Sequence, residues 1–144
     1  VRHLERGEPI VVRNPHAIRP WQHVLEPLSG YLLLAERMFG NPTAFAGAWN
    51  FGPEDSSFLP VGSLVDSVVN AWGSGSWQDR SIPGAVHEAH LLKLDITKAK
   101  SMLGWSPVWK INQAIAETVQ WYREYRNNGV YQLCQKQIED YMNT

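Results

Sequence analysis

Residues Arg13 to Leu34 read RNPHAIRPWQHVLEPLSGYLLL and place an arginine directly ahead of a long apolar helix. Trp21–Val24 is predicted as a short extended piece. The helix is predicted from about Leu25 to Phe39 because Gly40-Asn41-Pro42 follows it. Apolar side chains lie on nearly every side of this helix, so we expect it to be buried on more than one side.

The rest of the chain alternates short apolar runs with periodic helical segments. Strands are predicted at Ile10–Val12, Gly47–Gly52 and Leu91–Leu94. Helices are predicted at Pro60–Trp72, Ile96–Leu103, Ile111–Arg126 and Val130–Met142, and VRHLERG at the start is typical of a helix end that Gly7 caps. We expect an α/β fold that is rich in helices.

The bulk composition excludes several classes of protein. The chain has 144 residues and a net charge of −1, and its basic residues are scattered, so we expect one domain that binds no nucleic acid. The longest apolar run, Tyr31–Ala35, is far shorter than the stretch of about twenty residues that crosses a bilayer. Cys134 is the single cysteine, which excludes an internal disulfide and favours a cytoplasmic location.

Three blocks of the sequence resemble one enzyme family. They are Arg13–Leu34, Ala48–Pro53 (AWNFGP) and His87–Pro107 (HEAHLLKLDITKAKSMLGWSP). In order and spacing they are similar to the carboxy-terminal part of the CDP-glucose 4,6-dehydratases, which belong to the extended short-chain dehydrogenase/reductase superfamily. The resemblance implies that residues 1–18 begin the substrate lobe, that residues 19–52 complete a Rossmann-type sheet, and that residues 53–144 form the nucleotide-sugar-binding lobe.

The resemblance also implies an activity for the complete enzyme. Such a lyase converts CDP-glucose to CDP-4-keto-6-deoxyglucose with a tightly held NAD. This sequence has no complete Gly-rich turn to seat the NAD pyrophosphate, and Gly73-Ser74-Gly75 is the nearest approach. None of its five tyrosines is followed four residues later by a lysine, as the family's tyrosine base is. We therefore expect a fragment that holds no NAD, contains no catalytic residue and is inactive by itself.

Other interpretations stay open. The chain can be an inactive stand-alone binding or self-associating module, or a fragment of another nucleotide-sugar dehydratase or epimerase. The HEAHLLKLD block argues against the last of these. Because the apolar helix 25–39 lacks neighbours within this chain, we expect it to join copies into a homo-oligomer.

Arg19 is the first candidate for substrate binding. A guanidinium offers a planar fork for bidentate contact with a diphosphate, and Arg19 matches the arginine that contacts the nucleotide-sugar pyrophosphate in the wider superfamily. The alternative is a surface arginine that pairs with Glu26 or Glu5. Asn50 matches another nucleotide-sugar ligand of the superfamily, and its alternative is a polar turn residue beside Gly52.

Four further residues are candidates for contact with CDP-glucose or a related nucleotide-sugar. His87 and Glu88 open a block that resembles the dehydratase family in particular. Trp21 and His23 lie next to the proposed phosphate contact, where an aromatic ring is suited to stacking on a cytosine. Core packing is the alternative for both.

One corner of the chain departs from the family pattern. Many relatives have Arg-Pro-Gly where this chain has Ile82-Pro83-Gly84, so the arginine that contacts the second phosphate is missing. A protonated His87 or the nearby Arg80 is a candidate to replace its charge. The spacing of His87 and His90 does not fit a zinc site, so we expect no metal.

Overall fold

Helices make up most of the computed structural model, which describes residues 1–82 and 90–144. The helices are α1 Arg2–Glu5, α2 Leu25–Gly40, α3 Pro42–Phe45, α4 Val61–Trp72, α5 Ile111–Glu124 and α6 Val130–Met142. The strands are β1 Ile10–Val12, β2 Ile18–Pro20, β3 Phe58–Pro60 and β4 Trp77–Asp79. A 3₁₀ turn at Asp55–Ser57 and a π-helical turn at Ala99–Leu103 complete the regular structure of the described residues. The predicted helix-rich α/β fold is confirmed.

The strands form two small sheets. β1 pairs with β4 in parallel, with Ile10 opposite Trp77. β2 pairs with β3 antiparallel, so that Arg19 lies opposite Leu59. On the other side of β2, Ile18 makes a parallel bridge to Leu91.

Helix α2 packs one side against an aromatic cluster. The cluster consists of Phe51, Ile96, Ala99, Leu103 and Trp105, with Leu33 and Leu34 of α2 against it. Gly30 allows the close approach, because a Cβ at this position would overlap the ring of Phe51.

The opposite side of α2 is exposed in this chain. Leu32 is 73% exposed and Phe39 is 96% exposed, and Leu28 and Tyr31 are also exposed. Burial on more than one side was predicted, and within the described residues only one side is covered. Large apolar side chains of α2 therefore face solvent in this chain.

The helices that the sequence predicts are found close to the predicted bounds, but two of the predicted strands, Gly47–Gly52 and Leu91–Leu94, are wrong. Gly47–Gly52 belongs to neither sheet of the described residues. Trp21–Val24, predicted as a short extended piece, lies outside both sheets, because the pairing with β3 lies earlier, at Ile18–Pro20. Within Leu91–Leu94, Leu91 makes one bridge and no longer ladder forms. A short strand forms only where another segment pairs with it. Because that segment is distant in sequence, local residue patterns do not predict the pairing.

Among residues 1–82 and 90–144, none of the helices combines the length and the apolar character needed to cross a membrane.

Candidate functional site

Arg19 lies at the centre of the short strand β2. The antiparallel partner β3 is on one side of the strand, and His90 to Leu92 lie on the other. The side chain of Arg19 is half-buried, and its Nη1 donates a hydrogen bond to the carbonyl of Ile18 at 2.9 Å. Main-chain pairing on both sides therefore fixes the backbone that carries the Arg19 side chain, and the guanidinium lies against the carbonyl of Ile18.

Trp21 and His23 follow Arg19 but differ in how they are held. The indole Nε1 of half-buried Trp21 donates to the carbonyl of Leu59 at 2.9 Å, which ties the segment after β2 to β3. His23 is 6% exposed and its ring centroid lies 4.9 Å from that of Trp109. Burial lowers the pKa of His23 from its ordinary value, so the neutral ring is favoured. Packing against Trp109 accounts for this environment, and a direct ligand contact of either residue stays a prediction.

A groove of about 580 Å³ runs past His23. It lies between the start of α2, α5 and α6, and Leu28, Trp121 and Ile138 are among the side chains that line it. The described residues that line the groove are mostly apolar and include no arginine or lysine. A diphosphate needs charged or main-chain donors, so this groove is not its binding site.

Asn50 is exposed and connects two segments that are far apart in sequence. Its Nδ2 donates to the carbonyl of Asp95 at 3.2 Å. The Asp95 carboxylate in turn accepts from the main-chain N–H of Thr97 at 2.8 Å, and hydrogen bonds from Thr97 lower the pKa of Asp95. Both segments are thus held in place beside Asn50, while its contact with a ligand stays a prediction.

The remaining predicted positions are less informative. His87 and Glu88 lie outside the described residues. Arg80 follows β4, where its main-chain N–H donates to the carbonyl of Val12 at 2.7 Å, and so it belongs to the sheet that does not contain Arg19. Among the described residues, no cluster of three or more His, Cys, Asp or Glu side chains is arranged to hold a metal ion.

Sequence reasoning missed a buried carboxylate next to this region. Glu26 is 0% exposed and accepts hydrogen bonds from the main-chain N–H groups of Val108, at 3.0 Å, and Trp109, at 2.6 Å. The hydroxyl of Tyr141 donates to the same carboxylate at 2.8 Å. Burial raises the pKa of Tyr141 to about 12, so the phenol keeps the proton that it donates.

The alternative pairing of Arg19 with Glu26 or Glu5 does not fit these contacts. Glu26 is directed at main-chain donors and at Tyr141, and Glu5 forms an ion pair with Arg126 at 3.4 Å. A carboxylate within an apolar run was the available signal for Glu26. Its donors lie more than 80 residues away in sequence, so the sequence could not name them.

The fold of the chain is similar to that of a solved enzyme structure. Over 85% of its length the chain superimposes on UDP-N-acetylglucosamine 4-epimerase from Bacillus cereus, with a TM-score of 0.60 and 19% sequence identity, and it covers 40% of that enzyme. The described fold is therefore similar to the matched part of that epimerase.

Sequence comparison identifies relatives at higher identity than the structural comparison does. The chain is 41% identical over 99% of its length to CDP-glucose 4,6-dehydratase of Salmonella typhimurium, of which it covers 40%. It is 26% identical over 88% of its length to UDP-glucuronic acid decarboxylase 1 of Xenopus tropicalis and of Danio rerio, and covers 29% of each. No protein-family model matches the chain. The resemblance to the CDP-glucose 4,6-dehydratases is confirmed, and the chain spans less than half the length of these curated relatives.

Proposed function

We propose that this chain forms the nucleotide-sugar-binding part of a CDP-glucose 4,6-dehydratase and contacts the substrate diphosphate through Arg19. The observation that carries the proposal is the 41% identity to the Salmonella enzyme over 99% of the chain. The position of Arg19 supports it, because pairing on both sides of β2 fixes the base of the side chain before any ligand binds. A preorganised guanidinium loses less freedom on binding than a mobile one.

The complete enzyme would take CDP-glucose to CDP-4-keto-6-deoxyglucose with NAD. Within the described residues, the glycines nearest to a cofactor turn do not suit the NAD pyrophosphate. Gly73, with a φ of 89°, follows the C-terminus of α4, where main-chain carbonyls rather than N–H groups are exposed. A pyrophosphate is favoured at a helix N-terminus. We therefore assign this chain no role in holding the cofactor, and its contribution is to bind and orient the nucleotide-sugar.

Arg19→Ala tests the proposal by isothermal titration with CDP-glucose. Loss of a charge-assisted contact weakens binding by about tenfold or more. Arg37→Ala is a matched control, because Arg37 is an exposed arginine in the last turn of α2. Equal dissociation constants for the Arg19→Ala variant and the unsubstituted chain would contradict the proposed contact.

The exposed side of α2 favours a second candidate, a self-associating module. Leu28, Leu32 and Phe39 lie on that side, and burial of each large apolar side chain contributes about 1.5–3 kcal/mol. The same side chains would pack against the rest of a longer protein if this sequence is part of one. Light scattering during size-exclusion chromatography tests self-association, and Leu32→Glu with Phe39→Glu should shift an oligomer to monomer. A monomer of the unsubstituted chain at high concentration would exclude this candidate.

A further inference from the structure

Helix α6 packs on the rest of the chain through a narrow and mostly polar face. Each of its residues is exposed or half-buried. The half-buried residues are Leu133, Gln137 and Tyr141, which are four positions apart and therefore form one stripe along the helix. Helix α5, by contrast, buries Ile115 and Val119. Because most helix stability in proteins comes from the packing of an apolar face, α6 gains less from packing than α5 does.

Hydrogen bonds hold the C-terminal end of α6. The hydroxyl of Tyr141 donates to the buried carboxylate of Glu26 at 2.8 Å and lies 3.0 Å from the hydroxyl of Ser29. Just beyond the helix, the hydroxyl of Thr144 accepts from the indole Nε1 of Trp109 at 3.2 Å. The ring centroids of Trp109 and Tyr141 are 5.1 Å apart. These contacts join the end of α6 to the start of α2 and to the segment before α5.

The middle of α6 borders a groove instead of a packed interface. The groove of about 580 Å³ lies between α6 and side chains such as Leu28 and Trp121. Ile138 lines the groove from α6 and is still 45% exposed. A hydrogen bond crosses to α5 here, from Nε2 of Gln137 to the carbonyl of Glu117 at 2.8 Å. Since water replaces such a bond at a modest net cost, the middle of the helix resists detachment only weakly.

The buried carboxylate of Glu26 does not oppose detachment of α6 either. The main-chain N–H groups of Val108 and Trp109, at 3.0 Å and 2.6 Å from the carboxylate, belong to another segment and stay in place when α6 leaves. Water then hydrates the oxygen that Tyr141 vacates. An isolated helix of 13 residues is marginal in water, so a detached α6 unfolds.

We propose that α6 is a strap that detaches and unfolds locally at a lower free energy than the rest of the chain, and that the hydrogen bond from Tyr141 to Glu26 keeps it closed. Elements with few buried apolar contacts are those that open in this sub-global way. Opening uncovers Trp109 and removes one wall of the groove. The inference involves no ligand and is independent of the proposed function.

Hydrogen exchange of the 144-residue chain, followed by mass spectrometry of peptic peptides, tests this inference. Relative to their intrinsic rates, the amides of α6 should exchange at least about tenfold faster than the buried amides of α5. Tyr141→Phe keeps the ring beside Trp109 but removes the donor. It should raise the exchange rate of α6 about tenfold, the effect of losing a hydrogen bond to a charged group. The control is Tyr131→Phe, at a tyrosine of the same helix that is 75% exposed, which should leave exchange unchanged.

The amides of α5 separate local opening from a general loss of stability. They should keep their exchange rates in Tyr141→Phe, because opening of α6 leaves α5 folded. If Tyr141→Phe accelerates exchange in α5 as much as in α6, the two helices unfold together and α6 is not a separate strap. Equal exchange rates of α5 and α6 in the unsubstituted chain, or an unchanged rate of α6 in Tyr141→Phe, would also overturn the inference.

Discussion

Removal of the Glu26 carboxylate should destabilise the fold strongly. Three donors converge on this buried group: the main-chain N–H groups of Val108 and Trp109, and the hydroxyl of Tyr141. Together they connect the start of α2 to the segment before α5 and to the end of α6. In Glu26→Ala both main-chain donors lose this acceptor, and the Tyr141 hydroxyl keeps only its contact with the Ser29 hydroxyl at 3.0 Å.

The contacts set the size of the effect. Each buried donor left without a partner costs about 1–3 kcal/mol. Water that enters the vacated space offsets part of this cost, so we expect the free energy of unfolding to fall by about 3–5 kcal/mol, as when one partner of a buried charged pair is removed. Glu26→Gln keeps the side-chain volume and one acceptor oxygen, and its cost should be about half as large. The free energy of unfolding of a typical domain is about 5–15 kcal/mol in total, so this loss would be a large part of it.

Urea unfolding followed by tryptophan fluorescence measures the change, because Trp105 and Trp109 are buried near Glu26 and report the loss of this packing. Glu36→Ala is the control, since Glu36 is an exposed glutamate of the same helix, and it should stay within about 0.5 kcal/mol of the unsubstituted chain. If Glu26→Ala also stays within that range, the hydrogen-bond network does not hold these segments together. Glu26→Gln provides the measurement if Glu26→Ala does not fold.

Two other predictions concern packing and pH. Gly30→Ala should destabilise the chain by about 1–3 kcal/mol, because the added methyl group overlaps Phe51. The control is Gly40→Ala, whose added methyl group meets no atom within 4 Å and which should be neutral or slightly stabilising in the same urea titration. Equal effects of the two substitutions would refute the close approach of α2 to Phe51. Burial lowers the pKa of His23 below its ordinary value of 6.5, so the unfolded chain binds this proton more readily and the free energy of unfolding should fall as pH drops below 6.5. His23→Phe should reduce this pH dependence in urea titrations from pH 7 to pH 5, and an unchanged dependence would contradict the assignment.

The helices were predictable from the sequence because their signals are local. α2, α4 and α6 carry apolar residues at helical spacing, and glycine ends or precedes them. The short strands were harder to predict. β2 depends on β3, which is about 40 residues away and which nothing in the sequence of β2 specifies. The same limit explains the error at Gly47–Gly52, where an apolar run has no strand beside it among the described residues.

The candidate site was predictable only in part. The motif around Arg19 identified this residue from the sequence as a candidate for substrate binding. The structure adds the two segments that pair with its strand, β3 and His90–Leu92. The parallel bridge from Ile18 to Leu91 is not visible in the sequence, because the two residues lie more than 70 positions apart. The sequence suggested Glu26 only as an alternative surface partner of Arg19, since the spacing of apolar residues does not determine which side of an apolar helix faces the core.

The most direct test of the proposed function is isothermal titration of the unsubstituted chain with CDP-glucose, with dTDP-glucose and glucose 1-phosphate as comparison ligands. We predict saturable binding of CDP-glucose that is tighter than that of either comparison ligand, because the resemblance that carries the proposal is to a CDP-glucose enzyme. Absence of heat with CDP-glucose at concentrations up to the millimolar range, or equal affinity for all three ligands, would contradict the claim that this chain recognises the nucleotide-sugar.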